Sequence, residues 1–223
     1  MADEIKNQNP NLEDRLTNFE HWVNENKNML TYVVGGLFAV VAAYLGFTKL
    51  YLEPKSVEAT EQMFMAEKYF GQDSLERALN GDGNYLGFIQ IMDEYKWTPA
   101  ANLSHYYAGI IYLKQGKFED AIAQLKDFDG KDKLVTNMAL GALGDAHSEL
   151  GKMEEAVTYY KKAAYHFENE LTTPLFLKKA GMLLESRNKG AEAKKVYEEI
   201  KAKYPNSSEG REMDKYIARA GGV

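Results

Sequence analysis

The sequence predicts an all-α chain in which one membrane-spanning helix near the N-terminus precedes a short solenoid of helical hairpins closed by a C-terminal capping helix. Three observations carry that prediction. Residues 29–48, MLTYVVGGLFAVVAAYLGFT, run without a charge. Beyond Glu53 the segments between turn residues carry apolar side chains at spacings of three and four, with no alternating strand pattern. A glycine and an alanine recur at matching offsets through residues 102–205.

The 223 residues suffice for one ordinary domain and an appendage. The 27 Lys and Arg against 33 Asp and Glu leave a net charge of -6, which argues against nucleic acid, because backbone phosphates need clustered cations. The absence of Cys removes disulfide scaffolds, thiolate zinc clusters, thiol catalysis and a lipidated N-terminal Cys. It fits an oxidising compartment without requiring one.

Residues 1–28 form a tail with an amphipathic helix. Leu12, Leu16, Phe19 and Trp22 or Val23 make a helical stripe opposite Glu13, Asp14, Glu20 and Glu25. Such a helix lies on a membrane surface or against a partner. Its acidic polar face disfavours anionic lipid and tips the balance towards a partner.

Residues 29–52 are the span. Twenty uncharged residues make about 30 Å of helix, the thickness of the bilayer's hydrocarbon. Lys27 and Lys49 bracket them, Tyr32, Tyr44 and Tyr51 sit near the ends, and Pro54 is expected to stop the helix. A cleaved signal peptide is the rival, opposed by the length of the stretch, the acidic residues before it and the lack of a small-x-small cleavage site. Gly35, Gly36, Ala39, Ala42 and Ala43 form a small-residue face that either admits another membrane helix or simply faces lipid. Arg15 and Lys27 before the span against Lys49 and Lys55 after it leave the orientation open.

Residues 53–98 read as a degenerate opening pair, with helical stretches at 56–70, 74–80 and 85–95 broken by the Gly81-Asp82-Gly83 turn. Residues 99–223 hold three helical pairs, 102–133, 137–168 and 174–205, and the cap. Gly109, Gly144 and Gly181 align at periods of 35 and 37, as do Ala121, Ala156 and Ala193. Small residues are needed where the two helices of a pair cross closely. Thr98 before Pro99 and Thr173 before Pro174 are expected N-caps followed by proline at the first helical position. Asn206 with Glu209 is expected to open a last helix that runs to Ala220 and covers the end of the third pair.

With Tyr112 and Phe118 in the first pair, Leu143, Tyr160 and Ala163 in the second, and Tyr197 and Pro205 in the third, this pattern resembles the tetratricopeptide repeat. It departs from that family at His105, Leu140 and Leu177, where an early Trp is expected, and at Asn188, where Gly116 and Gly151 supply the turn glycine of the other pairs.

Little in the chain reads as catalytic. His21, His105, His147 and His166 lack metal-ligand spacing, and His147 occupies an aromatic core position of its repeat. Glu119 with Asp120 and Glu154 with Glu155 lie on solvated outer faces, and the Gly81 turn runs into Asn84 and Tyr85 rather than a phosphate-binding Lys. The expectation is a non-enzyme with no cofactor, no metal and no small-molecule substrate.

The tetratricopeptide resemblance implies a partner-binding groove on the first helix of each pair: Leu103, Tyr106, Ile110, Leu113 and Lys114; Met138, Gly141, Asp145, Ser148 and Glu149; Leu175, Lys178, Met182, Glu185 and Ser186. Tyr106, Ile110, Gly141, Asp145, Lys178 and Met182 at the middle positions argue against a clamp for carboxylates and for an apolar or amphipathic polypeptide. Either the groove is open, or the chain's own opening helices close part of it.

With the approach Phe19–Lys27, the single span and the repeats, the chain resembles the ancillary SecYEG translocon subunit family of bacteria. That resemblance implies an inner-membrane protein with a cytoplasmic N-terminus and periplasmic repeats. Its implied partners are translocon subunits, a membrane-anchored periplasmic chaperone of the peptidyl-prolyl isomerase-like type, and emerging polypeptide. Two alternatives remain: an envelope-assembly scaffold, for which the ending KAKYPNSSEG has a likeness, and an anchored import receptor facing the cytosol.

Overall fold

The computed structural model describes residues 12–222, with side chains from Arg15 onward; the first eleven residues of the expected tail and Val223 lie outside them, as do the side chains of Leu12, Glu13 and Asp14 on the expected helix. Among the described residues every regular element is a helix. The chain forms two compact units, Met1–Pro54 and Lys55–Val223.

In the first unit, α1 (Leu12–Glu25) leads into α2 (Lys27–Gly46), an apolar helix with no buried side chain, long and apolar enough to cross a membrane. Phe19 stacks on Trp22 along the expected stripe, and both are exposed. A π-helical turn, Phe47–Leu52, follows.

Pro54 does not stop the helix, contrary to the sequence expectation. It is the second residue of α3 (Glu53–Gly71). In the π-turn the Glu53 N–H donates to Thr48 O, five residues back. That wider turn gives room for a residue with no N–H and a bulky ring, which a regular α-turn denies it.

The second unit is a helical-repeat array. α3, α4 (Leu75–Asn80) and α5 (Phe88–Glu94) open it, and α6 (Pro99–Lys114) with α7 (Phe118–Asp127), α8 (Lys133–Glu149) with α9 (Met153–His166), and α10 (Thr172–Ser186) with α11 (Gly190–Lys203) form the three pairs. A short 3-10 turn, Gly210–Glu212, leads to the capping helix α12 (Met213–Gly221), which packs on α11. The second helix of each pair packs on its own partner and on the first helix of the next pair, so no pair buries its apolar face alone.

Three clusters fill the joints. Met63, Phe88, Ile91 and Ile111 join the opening helices to α6. Leu125, Ala139 and Leu143 join the first two pairs. Phe176, Leu177, Tyr197, Ile200 and Met213 join the second pair, the third and the cap.

Helix ends follow the expected chemistry unevenly. Thr98 caps α6, its Oγ1 accepting the Ala101 N–H at 3.1 Å. Thr173 is no cap: it lies inside α10, where Asn169 Oδ1 accepts the Leu171 and Thr172 N–H groups at 2.9 and 2.8 Å and Thr173 Oγ1 donates back to Ala164 O. The Asn amide reaches the free N–H groups from three residues upstream, which releases Thr173 to bind the preceding pair. Asn206 and Glu209 likewise lie outside α12, and Ser207 takes the capping role, accepting the Gly210 N–H at 2.9 Å. At the hairpin turns Gly116, Gly151 and Asn188 share the left-handed conformation, with φ +74°, +73° and +59°. Asn tolerates that region well enough to stand in for glycine.

Candidate functional site

The first helices α3, α6, α8 and α10, with α12 at the end, carry several of the polar ties between successive pairs. At each helix crossing a glycine makes room for the residue sixteen positions later: Leu125 against Gly109, Tyr160 against Gly144, Tyr197 against Gly181. The two tyrosine hydroxyls pass beyond the glycine to a carboxylate. Tyr160 donates to Asp145 Oδ1 at 2.7 Å, and Lys179 of the next pair donates to both oxygens of the same carboxylate at 2.7 and 2.9 Å. Tyr197 donates to Glu185 at 3.0 Å, and Arg219 of the cap grips that carboxylate through Nε and through Nη2 at 2.7 Å.

Burial and then the bonded carboxylate hold both phenols well above their ordinary pKa. The Arg219 contact holds the Glu185 carboxyl below its usual range. The phenols therefore stay neutral donors and the Glu185 carboxyl stays ionised beside Arg219, so these bonds latch one pair to the next.

Most of the expected groove residues are spoken for. Leu103 packs against the cluster of the opening helices, and Tyr106, Ile110 and Leu113 pack, half-buried, against the joint of the first and second pairs. Gly141 lies under the ring of Phe176. Asp145 belongs to the Tyr160 and Lys179 latch, while Lys178 donates to Glu212 at 3.0 Å. Met138 and Met182 are different. They are 39% and 46% exposed on α8 and α10, two helices that pack side by side. Leu134, one turn before Met138, and Leu171 at the entry to α10 extend the apolar exposure.

On the opening side, Tyr107 donates to Glu67 at 3.1 Å and stacks on Phe88, and Lys114 pairs with Asp73 at 2.9 Å. Burial and Glu67 push the Tyr107 phenol up to about 12. The chain's own opening helices thus cover the flank of α6, and the exposed apolar positions of the expected groove, Met138 and Met182, lie on the second and third pairs.

His147 is buried and stacked on Tyr159 at 5.0 Å. Among the described residues neither ring nitrogen meets a hydrogen-bond partner. Burial, then Lys126 and Lys152, hold its pKa below the ordinary histidine value. Among the described residues no three His, Asp or Glu side chains converge as a metal site. On α2, a Cβ built at Gly35 or Gly36 would meet nothing within 4 Å, and Ala39, Ala42 and Ala43 face outward like the rest of the helix.

Sequence reasoning missed the latches, although a signal was present. Complementary residues lie one repeat apart: Asp145 and Lys179, Glu185 and Arg219, and Lys178 and Glu212 at 34 residues, Glu154 and Lys189 at 35. Opposite charges at the repeat period meet across adjacent helices of a solenoid.

Residues 74–214 match the family model described as "T7SS, ESX-1 secretion system protein EccA1, N-terminal domain", 141 of the chain's 223 residues. The chain is also similar to the uncharacterized protein ycf37 of Guillardia theta, with 26% identity over 121 residues, or 52% of this chain. It spans 65% of that relative's length. Both likenesses agree with a helical-repeat module of the protein-interaction type.

Proposed function

The chain belongs to the family of the EccA1 N-terminal domain, and from that premise we propose that it is a membrane-anchored tetratricopeptide-type adaptor that binds protein partners and catalyses no reaction. The observation that carries this reading is the exposure of Met138 and Met182 on neighbouring first helices whose Asp145, Lys178 and Lys179 side chains are held in internal latches. Flexible, polarizable thioethers on an apolar face suit varied polypeptide segments better than a small substrate. We assign Leu103, Tyr106, Ile110 and Leu113 to the flank of that surface and Met138, Asp145, Lys178 and Met182 to its centre. Gly35, Gly36, Ala39, Ala42 and Ala43 are assigned to contact with another membrane helix.

In its finer form the reading puts the chain in the bacterial inner membrane, N-terminus in the cytoplasm and repeats in the periplasm, beside the Sec translocon and a membrane-anchored chaperone. The approach Phe19–Lys27, the apolar run 29–48 and the repeats support it, and EccA1, whose N-terminal domain defines the family, is a secretion-system protein. Affinity purification of the full chain from membranes in mild detergent tests it. Recovery of translocon subunits and the chaperone, lost in the Met138→Glu, Met182→Glu double variant, is the expected result. Recovery of neither sinks the Sec assignment, and recovery of other proteins through the same two residues would keep the adaptor and change its address.

A further inference from the structure

The chain has no cysteine, so the methionine thioethers are the most readily oxidised sulfurs it offers. The repeat unit sorts them by access. Met63 and Met213 are buried, and Met65, Met92 and Met153 are half-buried. The Met63 sulfur also accepts the Ser104 hydroxyl at 3.7 Å. Among the methionines of residues 55–222, Met138 and Met182 alone are exposed.

The same two stand apart in their packing. Met63, Met92 and Met213 pack into the clusters that fill the joints, whereas Met138 and Met182 belong to none of them. A change confined to these two side chains therefore alters the face and leaves the joints intact. The crossings at Gly144 and Gly181 set the register of α8 against α10. Residue 182 stands level with residue 145, two helical turns beyond Met138 and about 10 Å of rise further on. One polypeptide segment lying obliquely across the two helices meets both thioethers.

We infer that Met138 and Met182 are paired oxidation sites through which a hydroperoxide releases the polypeptide held on this face. The inference rests on the reading of that face as the polypeptide-binding surface. The thioether sulfur attacks the terminal peroxide oxygen, an S–O bond forms and the O–O bond breaks. The sulfur loses two electrons to the peroxide. The departing oxygen takes the proton of the transferred one and leaves as water or, from an organic hydroperoxide, as the alcohol. The sulfoxide is a polar acceptor on a side chain that was apolar, and an apolar segment laid over it supplies no donor. The change is reversible, because sulfoxide reductases restore the thioether.

The test uses the full chain in phosphatidylcholine nanodiscs, with fluorescently labelled carboxymethylated α-lactalbumin, a permanently unfolded polypeptide, as the probe. Hydrogen peroxide is applied to the chain alone and removed with catalase before the probe is added. Peptide mapping should find sulfoxide at Met138 and Met182 before Met63 and Met213, with the circular dichroism unchanged. Probe affinity should fall about tenfold, the equivalent of one or two methylenes no longer buried, and methionine sulfoxide reductases should restore it. The Met138→Leu, Met182→Leu variant is compared only with itself before and after peroxide, and its affinity should not move. Sulfoxide at both positions with no loss of affinity, or an equal loss in the Leu variant, which keeps every other methionine, overturns the inference and leaves the binding face standing. An untreated chain that does not bind the probe, or that binds it equally well with Met138→Glu and Met182→Glu, overturns the binding face and the inference with it.

Discussion

The ring of Tyr160 lies so close over Gly144 that a Cβ at residue 144 would stand 2.5 Å from its Cδ1. Tyr160 cannot swing away freely, because its hydroxyl is held by Asp145. Gly144→Val should therefore destabilise the repeat unit by about 1–3 kcal/mol, the usual cost of overpacking. Gly109→Val should cost less, since the side chain it meets is Leu125, which has no such tether. Urea unfolding of the full chain in mild detergent, followed by circular dichroism, measures both. Equal losses would contradict the pinned-ring explanation.

The latch itself gives a second prediction. Tyr160→Phe removes a buried donor from the Asp145 carboxylate and should cost about 1–2 kcal/mol. Lys179→Gln removes a partner that is 37% exposed, so screening by water holds its cost below about 1 kcal/mol. The two changes share one carboxylate and should be non-additive in a double-mutant cycle. Strict additivity would show that the two bonds act independently.

His147 predicts an acid-sensitive second repeat. Its pKa is lowered in the fold by burial, then by Lys126 on α7 and Lys152 before α9, against the opposing Glu155. The unfolded chain therefore binds the proton more tightly than the fold does. Stability is fully present above the ordinary value of 6.5 and declines as pH falls below it. His147→Leu, which installs the residue found at the matching Leu184 of the third repeat, should abolish that decline. Thermal melts at several values between about pH 5 and 8 decide it: the gap between variant and parent must widen towards acid, and parallel curves would remove the effect from this residue.

Much of the fold is legible in the sequence because close helix crossings leave a small residue at a fixed place in every repeat. Gly109, Gly144 and Gly181 mark the crossings. Asn188 adopts the turn conformation of Gly116 and Gly151, so a substitution that looks like a departure keeps the geometry. Local signals misled where a neighbouring residue changed the bonding. Pro54 passes inside a helix because a π-turn precedes it. Thr173 yields its cap to Asn169. The candidate surface was harder to read, since a residue's place in the repeat says which helix face it occupies and not whether a neighbour covers it. Tyr106, Ile110 and Leu113 are on the expected helix but pack into the next joint, while Met138 and Met182 remain outside.

The central claim is that this apolar face of the first helices holds other polypeptides. A photoreactive amino acid placed singly at Met138 and Met182, with Glu155 on the exposed side of α9 as the comparison, tests it in native membranes. Protein adducts from residues 138 and 182 and none from 155 are the predicted result; adducts from 155 alone, or from none of the three, would contradict it.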